Sequence, residues 1–465
     1  MKSQLLQLVK SQLLQYWDNL RSSFWFLPAL MAAGAVALAS LTVALDATVT
    51  PKWLQALGWA YSGGAEGASL VLGTIAGSMI TIAGVVFSMT LVALSLASSQ
   101  LGPRLLRNYM RDTTNQLVLG TFVATFVYCL LVLRTIRRAE ESLFVPHLSV
   151  TIGVLFALVS IGVLIYFIHH VSVSIQADEV VARVGKELVE GIERLFSEQI
   201  GQIQTRPASE SHAAGVPEAF DREARSVGAD ADGYVQRIDA DALMTLATQE
   251  DVLLRVERRP GQYVVTGAAL VMVWPGDRVN DEFAARANST YDLGNQRSAA
   301  QDVEFAVHQL VEIAVRALSP GINDPFTAVA CVDRLGSALC RLAQRDMPSP
   351  YRFDEEGRLR VITAPVAFSG IVGAAFHQIR QYARSSAAVT IRLLETIAVI
   401  AGAAHRPQDR AALQRHADMI IRGAREGLPE AEDRREVEVR YSAAIEALRE
   451  SDGQYHHRHD SRSTA

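Results

Sequence analysis

Between Ser69 and Ser98 the chain reads SLVLGTIAGSMITIAGVVFSMTLVALSLAS, and no Asp, Glu, Lys or Arg occurs anywhere between Glu66 and Arg104. A helix needs about 17–25 predominantly apolar residues to cross a bilayer. Lipid offers no partner for backbone N–H and C=O groups, so such a stretch spans as a helix. This one also carries a pattern. Thr74, Thr81, Ser88 and Ser95 recur every seventh residue, and Gly77, Ser78, Gly84 and Ser98 fill in the same side. Two readings stand for this stripe: small residues that let helices approach, with Gly73 and Gly77 forming a GxxxG, or the polar wall of a permeation path. Past Leu101-Gly102-Pro103 the same helix is expected to continue into Arg104, Arg107 and Arg111, three basic residues on one face. In a symmetric oligomer they would ring an inner mouth; as single residues they satisfy the positive-inside rule.

Working outward, three further uncharged stretches appear: Phe24–Leu45, about Asn115–Leu133, and Leu148–Ile168. Four spans explain a slightly positive mean hydropathy of +0.15 in a chain that is 20% charged. They exclude a wholly soluble protein, while the 295 residues after His170 have ordinary soluble composition. Ahead of span one, KSQLLQ occurs twice and Leu5, Leu6, Val9, Leu13, Trp17 and Leu20 share a face, so residues 1–23 are expected to form an interfacial amphipathic helix. Trp17, Trp25, Trp53 and Trp59 fall near span ends, as interface anchors do. With the N-terminus inside, the inner flanks carry Lys2, Lys10, Arg21, Arg104, Arg107, Arg111, Arg183 and Lys186, against Lys52, Arg134, Arg137 and Arg138 outside. Eight against four places both termini in the cytoplasm. The three cysteines, Cys129, Cys331 and Cys340, form no disulfide framework and fit a reducing compartment. A net charge of −5 gives no basic field for nucleic acid.

The fold expected is mainly α: a four-helix transmembrane domain (24–170), a connecting helix (171–204), a flexible loop (205–233), a small β-rich module (234–280), a helical cytoplasmic domain (281–450) and a disordered tail (451–465). In the β module the runs either side of Pro260-Gly261 read as a hairpin. Helix 302–318 presents Glu304, His308, Glu312 and Arg316 at four-residue spacing, which suits i,i+4 pairing better than a metal site. In RALSPGINDPFTA, Arg316–Ala328, Asp324-Pro325 matches a helix N-cap followed by proline at the first helical position, and Ser319-Pro320 the same one turn earlier. Ser319, Asn323 and Asp324 are therefore structural or ligand-binding candidates. No P-loop, GxSxG, HExxH, paired CxxC or dinucleotide fingerprint occurs, so no catalytic residue, cofactor or metal is assigned.

FSMTLVALSLASSQLGPRLLRNYMRD (from Phe87), GYVQRIDADALMTLA (from Gly233), RPGQYVVTGAAL (from Arg259) and QLVEIAVRALSPGINDPFTAVACVDRLG (from Gln309) together resemble the bacterial predicted membrane proteins grouped as domain of unknown function 2254. The similarity runs from about Tyr16 to Arg425. Members usually read QDPxFG where this chain has Gln301-Asp-Val-Glu-Phe-Ala306. The resemblance implies an inner-membrane protein with a cytoplasmic domain and supplies no reaction. The leading functional expectation is a homo-oligomeric, channel-like or permeation protein with a cytoplasmic assembly or gating domain. The alternative is a non-conducting scaffold or sensor that binds a cytoplasmic partner.

Overall fold

The computed structural model describes residues 25–48, 61–102, 113–137, 144–174, 176–196, 215–364 and 366–460. The expected amphipathic helix 1–23 lies outside them, as do Arg104, Arg107 and Arg111, and the helix expected to run on into those arginines ends instead at Leu101, where Gly102 takes a φ of 118°. The chain divides into two compact units, Met1–Glu179 and Val180–Ala465.

Among its described residues the first unit holds four helices long and apolar enough to span a membrane: α1 (Phe26–Thr48), α2 (Ala65–Leu101), α3 (Thr113–Thr135) and α4 (His147–Ser174). Helix α3 is the hub, packing on the other three. Val118, Phe122, Thr125, Tyr128, Cys129 and Val132 recur at three- and four-residue steps and are buried. Two glycines make the close approaches possible. A Cβ on Gly120 would meet the Pro28 Cα at 3.2 Å, and one on Gly153 the Leu72 Cδ2 at 2.9 Å. Gly153→Leu should therefore overpack the α2–α3–α4 junction and cost about 1–3 kcal/mol, read as a lower unfolding midpoint of the full chain in detergent. Gly120 lies level with Pro28, whereas Tyr128 lies level with Thr42, to which it hydrogen-bonds at 3.1 Å. Helices α1 and α3 thus run parallel, as alternating crossings of one chain require.

The sequence reading continues span four as one helix to Gln204. Instead α4 ends at Ser174 and α5 covers Ala177–Leu195. Ser172 and Ser174 turn their hydroxyls back onto the carbonyls of Ile168 and Val171, the competition that makes serine a weak helix-interior residue. In the second unit α5 buries Val180, Val184, Leu188 and Ile192 at four-residue spacing.

The expected loop 205–233 is structured from residue 215 onward: a single helical turn, Phe220–Glu223, precedes strand β1 (Arg225–Gly228). Strands β2 (Gly233–Ile238), β3 (Leu253–Val256), β4 (Tyr263–Val264), β5 (Ala269–Trp274) and β6 (Tyr291–Gly294) follow, with α6 (Ala240–Gln249) and α7 (Asp281–Asn288) between them. The hairpin expected at Pro260-Gly261 does not form: β3 pairs with β5 in one sheet, while β4 pairs with β2 in the other. Gly261 and Gly267, both at positive φ, turn the chain between sheets. The region expected to be a helical domain, 281–450, contains β6 and also β7 (Tyr351–Phe353) and β8 (Leu359–Ile362), the last two giving a sheet ordered β1-β5-β3-β8-β7. Arg360 on β8 bonds Asp354 and Asp251, each at 2.8 Å. That clasp holds the late hairpin to the turn before β3.

The remaining helices are α8 (Val303–Ala317), α9 (Pro325–Ala343), α10 (Phe368–Tyr382), α11 (Ala387–Ala403), α12 (Pro407–Gly427) and α13 (Ala431–Asp460). Leu393, Ile397 and Ile400 of α11 are fully buried at the centre. Helix α13 runs on through residues 451–460, where the sequence reading has a disordered tail. That stretch holds no proline and one glycine, Gly453, so little interrupts the helix.

Candidate functional site

The hydroxyl and glycine stripe of α2 faces away from its own bundle. Ala68, Leu72, Ala76, Met79, Ala83, Val86 and Ala93 form the packed side. Thr74, Gly77, Ser78, Thr81, Gly84, Ser88 and Ser95 are exposed and Ser98 is half-buried. A Cβ built on Gly73, Gly77 or Gly84 would meet nothing within 4 Å. Among the described residues, these small side chains are therefore not spent on packing. From Thr74 to Ser98 the stripe is roughly 36 Å long at 1.5 Å per residue, comparable to the roughly 30 Å hydrocarbon core. Thr74 and Thr81 donate to the carbonyls of Leu70 and Gly77 at 2.7 and 2.8 Å, which leaves their oxygens free only as acceptors. Exposed Ile80, Val85, Phe87, Leu91 and Val92 flank the stripe with lipid-like surface.

A second polar cluster ties the helix ends together. Asp46, in the last turn of α1, accepts from the backbone N–H groups of Leu148 and Ser149 at 3.0 and 2.9 Å and from Ser149 Oγ at 2.7 Å. It thus caps α4 from another helix, satisfying donors that a helix start leaves open. The Tyr128 hydroxyl reaches the Ser149 carbonyl at 3.1 Å. Tyr61 N–H donates to Thr151 Oγ1, and His147 Nδ1 bonds the Tyr61 carbonyl. Sequence reasoning missed this network. Its only local sign is an acid at the end of span one.

In the second unit, Asp324 caps α9 by accepting from the N–H groups of Phe326 and Thr327, both at 3.1 Å, and from Thr327 Oγ1 at 2.5 Å. Its own N–H donates to the Ala317 carbonyl at 2.7 Å. Asn323 takes the left-handed conformation, φ 50°, which Asn tolerates better than most residues. Ser319 does not cap a helix start. Its hydroxyl donates to the Arg316 carbonyl, and its own carbonyl accepts from Ile322 and Asn323 N–H, so it closes the end of α8. The loop's unexplained feature is Phe326, 86% exposed beside half-exposed Ile322.

The acidic and histidine stripe of α8 is drawn into arginine contacts. Glu304 pairs with Arg259 at 2.8 Å, His308 Nδ1 lies 2.8 Å from Arg297, and Glu312 lies 3.8 Å from Arg316. Arg297 also pairs with buried Asp302 at 2.7 Å. Burial pushes the Asp302 carboxyl above the ordinary carboxylate range despite that partner. Gly261 has no room for a side chain here, since a Cβ would fall 2.2 Å from Asp302 Oδ2. A small cavity of about 160 Å³ adjoins this clasp, with Phe196, Pro260 and Pro348 on its wall. Nothing in it pairs a nucleophile with a base, and the cluster's chemistry is that of a structural joint between β module and α8. Among the described residues no three His, Cys, Asp or Glu side chains converge for a metal.

Comparison with known proteins adds family without chemistry. Uncharacterized proteins of Mycobacterium bovis and Mycobacterium tuberculosis are 32% identical over 429 residues, covering 90% of this chain and 79% of theirs. No solved structure matches. The family model described as "Predicted membrane protein (DUF2254)" matches residues 21–399, with the four apolar helices at its start. The chain belongs to this family of membrane proteins.

Proposed function

We propose that the protein is a homo-oligomeric, channel-like component of the bacterial inner membrane, in which α2 of each copy faces a shared axis. The observation that carries this reading is the outward stripe on α2. Hydroxyls and glycines running the depth of a bilayer, with no neighbour at the glycines among the described residues, are poorly matched to lipid tails and well matched to a second helix or a polar path. Arg104, Arg107 and Arg111 would stand at the inner mouth, on the side favoured by the basic flanks, with both termini and the second unit cytoplasmic. No catalytic role is assigned. A non-conducting scaffold or sensor draws support from the Thr74 and Thr81 hydroxyls, which are already turned onto their own helix, and from exposed Phe326 as a contact for a cytoplasmic partner.

The test uses single cysteines at Thr81 and Ser88 in a chain whose own cysteines are replaced, with ion flux measured in liposomes. Oxidation should cross-link copies through both positions, and Ser88→Leu should lower flux at least tenfold. Cross-linking without flux would move the assignment to the scaffold. Monomers that neither cross-link nor conduct would end the channel reading and leave the scaffold or sensor.

A further inference from the structure

A groove of about 610 Å³ opens in the first unit between α1 and α3, within the range of small-ligand sites, about 300–1,000 Å³. Its α1 wall is Val36, Ala39, Val43 and Ala47, which at 1.5 Å per residue covers roughly 16 Å of helix. The hydroxyls on its surface are already used: Ser40 Oγ donates to the Val36 carbonyl at 2.9 Å and Thr135 Oγ1 to the Val132 carbonyl at 2.7 Å. Among the described side chains that line it, the polar ones left are two guanidiniums at one end. Arg134 stands in the last turn of α3, and Arg137 is positioned two residues beyond it by a backbone bridge to Phe144. Both line the groove, and neither pairs with a carboxylate among the described residues.

An apolar channel along a membrane helix, ending in two exposed arginines at the helix terminus, has the amphiphilic order of a phospholipid: tail beside the span, phosphate at the interface. Guanidinium matches phosphate oxygens in bidentate geometry. A free anion would leave the apolar length unused, and a zwitterionic lipid would bring its own cation beside the two arginines. We propose that this groove holds one acyl chain of an anionic phospholipid, with its phosphate between Arg134 and Arg137. The inference stands independently of whether the protein conducts. It also gives these two arginines a role on the flank where the basic-residue count would place few.

Full-length protein in a neutral detergent is mixed with phosphatidylglycerol, phosphatidylcholine or inorganic phosphate, and bound lipid is counted by native mass spectrometry. Wild type should retain phosphatidylglycerol at least tenfold better than phosphatidylcholine, with phosphate alone displacing little. The double variant Arg134→Gln/Arg137→Gln should lose that preference. Ser40→Phe, an exposed position on the groove, should block retention while leaving both arginines in place. Lipid-free melting of each variant is the folding control. Equal retention of the two lipids, full competition by inorganic phosphate, or phosphatidylglycerol retention undisturbed in either folded variant would overturn the assignment. So would a second copy of the chain occupying the groove, seen as Ser40→Phe dissociating an oligomer without changing lipid binding.

Discussion

Asp46→Ala should destabilise the membrane unit by about 3 kcal/mol, the largest single-residue effect expected there. The carboxylate accepts three hydrogen bonds, at 3.0, 2.9 and 2.7 Å, from the first turn of α4. Bonds to a charged group contribute roughly 1.5–3 kcal/mol each, and an unmet buried donor costs a similar amount. A lost cap alone costs about 0.5–2 kcal/mol. The total falls short of a simple sum because Asp46 is half-buried and water can reach part of the site. Ser149 sits at the junction: its side chain and N–H go to Asp46, while its carbonyl accepts from Tyr128, whose hydroxyl also meets Thr42. Releasing Ser149 therefore loosens the contacts of α4 with both α1 and α3. Asp46→Asn keeps an acceptor but loses the charge at a helix N-terminus, and should cost about half as much. Ser149→Ala removes one bond and should cost about 1 kcal/mol. Unfolding midpoints of the full chain in one detergent rank the three; an Asp46→Ala protein that melts with wild type would remove Asp46 from the account of the fold.

That cap shows where sequence reading stops. The spans were legible because a bilayer imposes a length and an absence of charge that composition alone can meet. The partner of Asp46 was not, since Ser149 lies 103 residues away and nothing local distinguishes a cap from a charge that merely ends a span. The β module failed for the same reason. Leu253–Val256 and Tyr263–Val264 read as two arms of a hairpin, yet their partners are β5 and β8 for the first and β2 for the second. Strand β8 arrives more than a hundred residues later and carries Val361 into the core that holds Leu254 and Val271. Alternation identifies a strand, not its neighbour. The α2 stripe is the intermediate case: its residues and spacing were visible, but only the packed opposite face, Leu72 to Ala93, assigns it to the outside of the bundle. At Asp324 the local rule was sufficient, because the cap bonds span only two and three residues.

Acid should weaken the helical part of the second unit through His416 on α12. The imidazole is 3% exposed, lies 4.6 Å from the ring of His377 on α10, and packs edge-on to Phe376. Its Nδ1 has no hydrogen-bond partner among the described residues. Burial holds its pKa down to about 4, and the positive charge of His377, Arg380 and Arg415 adds to the shift. His377 is lowered too, first by burial and then by Arg380 and Arg415. In the unfolded chain an imidazole takes up its proton below about pH 6.5, whereas the folded site excludes it until about pH 4. The stabilisation is complete above pH 6.5, declines as the pH falls, and is exhausted near pH 4, a loss of about 3 kcal/mol. Asp302 and Asp409 act in the opposite sense, because burial raises both carboxyls and their protonation favours the folded state. They are common to wild type and variant, so the difference between the two isolates the histidine. His416→Leu should remain folded with a small packing change and lose most of the decline between pH 6.5 and 4. Hydrogen exchange in the peptides of α10 and α12 reads this without requiring the membrane unit to unfold. Wild-type protection should fall about a hundredfold over that range, and protection in the variant should fall by less than tenfold. Parallel declines in the two proteins would move the acid sensitivity to another group, since the proton that destabilises α12 would then not be the one His416 binds.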